Sequence, residues 1–206
     1  MIGLLGKKIG MTRVFNAKGQ YVPVTVVELG PCQITGVRIP DRDGYRAVQL
    51  GFGTRRPKLV TKPLTEHYKK LNVTPPQWVR EIRDMDPDQV KVGDVLHCDV
   101  LKEGDRVRVT GVSKGRGFQG VVKRHGFSGP PAGHGTHEFF RHGGAIGAHT
   151  FPGRVWKNMG MPGRMGGDQV TVKNSEVFRV DPEANLVLLK GCVPGSIGGL
   201  LIVRKG

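Results

Sequence analysis

Gly104-Asp105-Arg106-Val107-Arg108-Val109-Thr110, followed shortly by Lys114-Gly115-Arg116-Gly117-Phe118-Gln119-Gly120, is where the fold is decided. In the first stretch a Gly-Asp turn leads into valines that alternate with arginines. That is the period of a strand with one face in a core and one in solvent. In the second the alternation stops and glycine takes three of the seven places, at 115, 117 and 120, so no continuous apolar face is left to bury. The expectation is a β-domain interrupted by a segment of a different kind.

Working outward, short β-rich runs precede this point at residues 21–29, 45–52, 78–83 and 95–100, and follow it at 169–173, 176–180, 186–190 and 200–204. Gly93-Asp94 and Asp181-Pro182-Glu183-Ala184-Asn185 supply further turns. Short strands joined by tight turns predict a mainly β fold built as a small antiparallel barrel. One short helix is expected at about 63–71, with Thr65 or Thr61 as its N-cap. The reading divides the chain into 1–113, the first part of the barrel domain carrying that helical insertion, 114–167, a long extended Gly/Arg-rich arm, and 168–206, the remaining barrel strands.

The arm's composition says what it needs. Residues 114–167 hold 15 of the chain's 32 glycines, eight lysines and arginines, five of the seven histidines, six of the thirteen aromatic residues and one acid, Glu138. Ordering each backbone residue costs about 1–2 kcal/mol, and glycine costs most. Few large apolar side chains are present to offset that. A flexible linker has little use for Trp156, Phe139 and Phe140, so the arm is expected to order against an external surface. Its chemistry suits folded RNA, where lysine and arginine meet phosphates and rings stack on unpaired bases.

The whole chain agrees, with 32 basic against 17 acidic residues in 206 and a net charge of +15. A membrane partner is not expected, because neither a basic amphipathic helix nor a long apolar stretch is visible. The apolar run of residues 1–8 is too short for a secretory signal and carries its lysines on the wrong side, so a cytoplasmic location is expected. Cys32, Cys98 and Cys192 form no CxxC pair and read as small apolar filler within β-structure.

Two motifs invite enzymatic readings. Gly115-Arg116-Gly117-Phe118-Gln119-Gly120 matches a nucleotide-binding GxGxxG pattern, but Gly126, Gly129 and Pro130 allow no helix of useful length to receive a pyrophosphate. His137-Glu138-Phe139-Phe140-Arg141-His142 spaces its histidines by five rather than the four that a helical zinc site uses. Neither a metal, a cofactor nor a small-molecule substrate is expected. The competing classes are a free-standing RNA-binding or chaperone module, which protein found free in the cytoplasm rather than held in a large assembly would favour, and an enzyme, which stoichiometric zinc or nucleotide-induced stabilisation would favour.

The candidate RNA contacts are Lys7, Lys8 and Arg13 near the start, then Lys114, Arg116, Phe118, Lys123, Arg124, His125, His134, Arg141, His142, Arg154, Trp156, Lys157 and Arg164 in the arm. Three motifs then carry a resemblance. Gly6-Lys7-Lys8-Ile9-Gly10-Met11-Thr12, Ser113-Lys114-Gly115-Arg116-Gly117-Phe118-Gln119-Gly120-Val121-Val122-Lys123-Arg124 and Gly191-Cys192-Val193-Pro194-Gly195 resemble, in order and across the chain, the bacterial family of ribosomal protein three of the large subunit. That resemblance implies a barrel like the second domain of translation elongation factors and a non-catalytic place in the large subunit. It further implies binding near the 3′ end of the large-subunit rRNA early in assembly, an extension directed toward the peptidyl-transferase centre, and neighbouring ribosomal proteins as partners. Arg108 and His125 depart from residues usual in the family, acidic and tryptophan respectively. Ala148 stands where many members carry a methylated glutamine, so that modification is expected to be absent.

Overall fold

The computed structural model describes residues 3–83 and 85–206. Twelve strands are found among them: β1 Gly3–Phe15, β2 Tyr21–Leu29, β3 Cys32–Arg38, β4 Ala47–Thr54, β5 Pro76–Ile82, β6 Val95–Leu96, β7 Arg106–Val112, β8 Phe118–Gln119, β9 Gly163–Arg164, β10 Gln169–Asp181, β11 Leu186–Lys190 and β12 Leu200–Lys205. The α-helices are short: α1 Pro40–Asp43, α2 Lys62–Lys70 and α3 Val121–His125. Met1 and Ile2, which open the N-terminal run read above, lie outside the described residues.

Six strands close an antiparallel barrel in the order β1-β12-β7-β10-β11-β2. The alternation seen in the sequence sets its inner face: Val107 and Val109 of β7 are buried while Arg106 and Arg108 face out. Val24, Val27 and Leu29 of β2, Val187 and Leu189 of β11, and Leu201 and Val203 of β12 complete the interior. Each such side chain contributes about 1.5–3 kcal/mol when fully buried, and this row holds the barrel.

The runs at 45–52, 78–83 and 95–100 are not barrel strands. They belong to a separate four-stranded sheet ordered β5-β4-β3-β6. Gly30 causes the departure: it sits at φ +76, which a side chain adopts only with strain, and turns the chain out of β2. The sheet shares one core with the barrel, its Ile34, Val48, Leu50 and Ile82 packing with Leu4, Leu5 and Leu29. Within the 95–100 run only Val95–Leu96 pairs as strand, and Cys98–Val100 forms a 3₁₀ turn.

Other elements fall close to expectation. The helix spans Lys62–Lys70 with Thr61 at the N-cap position, but the Thr61 side chain makes no capping bond. Thr65 lies inside the helix and its hydroxyl donates to the Thr61 carbonyl at 3.2 Å. The runs at 169–173 and 176–180 are one strand, β10, whose register against β7 shifts between Val172 and Ser175. Asn174 there adopts φ +59, a bulge that breaks the side-chain alternation and so divides the sequence signal. Burial of Cys32 and Cys98 agrees with their reading as apolar filler, whereas Cys192 is exposed because it follows the Gly191 turn out of β11.

Candidate nucleic-acid interface

By its contacts the chain separates into two compact units, Met1–Ser113 with Gln169–Gly206, and Lys114–Asp168. The second unit leaves and re-enters the first at paired neighbours, since Val112 lies opposite Gln169 in the β7–β10 ladder.

Lys114–Asp168 folds back on itself through main-chain contacts. Arg116 N–H donates to the Met165 carbonyl and Met165 N–H to the Gly117 carbonyl, both at 2.9 Å. Next to them Phe118 pairs with Arg164 and Gln119 with Gly163, the β8–β9 ladder. Gly166 makes this closure possible: at φ +73 its α-carbon lies so close to the Lys114 carbonyl that a Cβ would collide with it. Farther along, Gly129 approaches the Phe140 carbonyl in the same way, at φ +73. The helix after the GxGxxG string runs for only five residues, Val121–His125, before Gly126 ends it at φ +74. Arg124 donates from Nη1 to the Met161 carbonyl at 2.7 Å, and the His125 ring nitrogen Nε2 lies 3.0 Å from the same oxygen.

Side chains contribute little to this shape. Val121 is the one buried residue in Lys114–Asp168, so the unit has no hydrophobic core. Its rings stand open to solvent, Phe151 at 88% and Phe118 at 75% exposure, with Phe139, Phe140 and Trp156 also exposed. All eight lysines and arginines of the segment, Lys114, Arg116, Lys123, Arg124, Arg141, Arg154, Lys157 and Arg164, are exposed, as are His125, His134 and His142. The Arg154 guanidinium lies 4.8 Å from the centroid of the Trp156 ring, which pairs a cation with a stacking surface. Phe139, Phe140 and Phe151 were missing from the candidate contacts. Aromatic residues in a segment too poor in apolar partners to bury them are the signal that could have added them.

In the barrel unit the candidates divide. Lys7 is half-buried and Arg13 exposed. Arg13 lies 5.6 Å from the Tyr21 ring centroid, and Tyr21 stacks on Phe15 at 4.1 Å. This cluster sits beyond the Lys8–Gly10 register shift, where β1 pairs with β2 alone, and its rings are exposed. Nothing in the local sequence singled it out, because the two rings meet only through the hairpin register.

Lys8 requires a correction. Only 8% exposed, it donates from Nζ to the Val193 carbonyl at 2.9 Å and the Gly195 carbonyl at 3.3 Å. Its charge is spent inside the fold, holding the loop between β11 and β12, and the adjacent Lys7 conceals this in the sequence. Other cations of this unit are engaged by acids instead: Arg38 by Asp43 and Glu81, Lys205 by Asp105, and Lys190 by Glu176. The Lys205 ammonium, then the Lys102 backbone N–H, hold the Asp105 carboxyl below its ordinary range. Among the described residues no group of three or more His, Cys, Asp or Glu side chains is placed to hold a metal ion.

Comparison with known proteins bears on the same residues. The family described as "Ribosomal protein L3" matches residues 79–185, which include all of Lys114–Asp168. The chain is 52% identical over 203 residues to "Large ribosomal subunit protein uL3" of Herpetosiphon aurantiacus, covering 98% of this chain and 95% of that one. It is 52% identical over 202 residues to the protein of the same name from Acidothermus cellulolyticus, covering 98% and 91% respectively.

Proposed function

The chain belongs to the ribosomal protein L3 family, a structural protein of the ribosome and not an enzyme, and from that premise we propose that residues 114–168 lodge within the folded large-subunit rRNA. The observation that carries this is the absence of a core: one buried side chain supports a whole unit whose cations and rings face outward. A segment of that kind gains its remaining stabilisation from a partner, and RNA offers both phosphates and base faces. Lys114, Arg116, Lys123, Arg141, Arg154, Lys157 and Arg164 neutralise phosphates in this reading. Phe118, Trp156, His134 and His142 meet bases or riboses, while Arg124 and His125 contribute from positions braced on the Met161 carbonyl. Lys7 and Arg13 form a second contact on the barrel unit, the barrel being the proposed counterpart of the second domain of elongation factors.

The finer assignments are part of the same proposal. The barrel is anchored near the 3′ end of the rRNA early in subunit assembly, beside other large-subunit proteins in the cytoplasm. Residues 114–167 extend toward the peptidyl-transferase centre, where they pack RNA helices and leave peptide-bond chemistry to the RNA. The test is binding of the full chain to a large-subunit rRNA fragment across a salt range. With about six to ten phosphates contacted, affinity should fall by about a thousandfold or more between ~50 and ~200 mM salt. A flat response would remove the electrostatic mechanism and the proposal with it.

A further inference from the structure

The unit Lys114–Asp168 contains a cleft of about 580 Å³ whose walls include Val121, Pro130, Phe139, Arg141, His142 and Pro162. Its construction differs from that of an open phosphate-binding surface. Phe139 and His142 meet edge to face at 4.9 Å, so the two rings present differently oriented planes within one wall. A Cβ at Gly143 would lie 3.6 Å from both Val121 methyl groups, an ordinary contact distance, so the backbone there passes beside the unit's one buried side chain. Gly129, pressed against the Phe140 carbonyl, fixes the 3₁₀ turn His137–Arg141 that carries Phe139 and Arg141.

We propose that this cleft receives one unpaired nucleobase of the RNA, with Arg141 on the phosphate next to it. The inference rests on the rRNA-binding reading and adds to it the kind of nucleotide the site selects. The volume lies within the ~300–1,000 Å³ usual for small-ligand pockets, ample for a base with its ribose. Apolar walls and ring faces suit a flat heterocycle, and the His142 imidazole offers a hydrogen-bonding edge. A phosphate backbone running along the cleft would need several cations, and Arg141 is the one lysine or arginine among the lining residues. Paired bases in an A-form helix are stacked inside it and cannot enter, so the site discriminates single-stranded or bulged RNA from duplex.

The experiment compares the full chain with its Phe139→Ala and Phe139→Tyr variants. Each is titrated with single-stranded oligoadenylate, oligouridylate and an RNA duplex of equal length at one salt concentration. Phe139 is 61% exposed, so its truncation leaves no core cavity. Phe139→Leu, which keeps apolar bulk but no ring face, guards against a local packing effect. Losing one base–ring stack should weaken single-strand binding about tenfold. Both Phe139→Ala and Phe139→Leu should show that loss, Phe139→Tyr should restore binding, and duplex affinity should not change. Equal losses on single strand and duplex, or no loss on either, overturn the cleft assignment. If that happens while binding keeps its steep salt dependence, the rRNA-binding reading survives; if no RNA binds the parent chain, both fall.

Discussion

Replacing Lys8 by methionine separates a structural lysine from an RNA-binding one. The parent ammonium makes two hydrogen bonds to carbonyls, at 2.9 Å and 3.3 Å. A bond from a charged donor contributes about 1.5–3 kcal/mol, and the longer of these lies past the favourable range and adds little. The variant also leaves the carbonyl of buried Val193 without this donor, a cost of about 1–3 kcal/mol. Against these losses, methionine fills a similar volume and avoids desolvating a charge. The net expectation is about 2 kcal/mol of destabilisation, about thirtyfold in the folding equilibrium. Urea unfolding followed by Trp78 fluorescence, in a Trp156→Phe background so that one tryptophan reports, should show the midpoint falling by about 1 M at unchanged slope. Lys7→Met is the comparator: on a half-buried neighbour it should alter stability by less than ~0.5 kcal/mol. The reasoning fails if Lys8→Met leaves the midpoint in place and instead lowers the salt dependence of RNA binding, as loss of a phosphate contact would.

Gly166→Ala forces a side chain into a left-handed conformation against the Lys114 carbonyl. The φ penalty alone is about 1–2 kcal/mol, so limited proteolysis should cut within 114–168 faster and RNA affinity should drop, while the barrel's unfolding midpoint stays put; a lowered midpoint would contradict the separation of the units. Exposed Cys192 should react quickly with a thiol reagent at mildly alkaline pH, whereas Cys32 and Cys98 should react only in denaturant, because burial pushes the Cys32 thiol from 9.0 up to about 11 and also raises that of Cys98. The raised Cys32 value stabilises the folded chain fully below pH 9.0 and that contribution is lost as pH rises toward about 11, so Cys32→Ala should flatten the alkaline limb of a stability–pH profile.

Legibility of the barrel in the sequence followed from side-chain period. Residues 21–29 and 186–190 were read with the bounds of β2 and β11, because their valines and leucines alternate or cluster between turn residues. β1 and β3 escaped notice for a physical reason: Gly3, Gly6 and Gly10 in one and Gly36 in the other dilute strand propensity, and the strands exist through their pairing partners. The separate sheet was equally hidden, since the assignment of a strand to one sheet or another depends on where a turn such as Gly30 sends the chain. Segment 114–167 stood out because composition, unlike topology, is local. The cleft did not, since Val121, Phe139 and Pro162 are brought together only by the return of the chain.

Charge by itself could not have assigned the contacts. Lys7 and Lys8 are chemically the same, and a one-residue step along β1 places one partly in solvent and the other against the carbonyls of Val193 and Gly195. The same step does little such work between 114 and 168, where Val121 is the one side chain that is buried. There the chain is shaped by backbone closures at Gly129 and Gly166 and the short β8–β9 ladder, leaving its rings and cations largely uncommitted to packing. Glycine therefore has a purpose beyond flexibility in this unit. By letting main chain hold main chain, it frees the side chains to be selected for an outside surface, which is why a segment so poor in buried apolar groups still carries six aromatic residues.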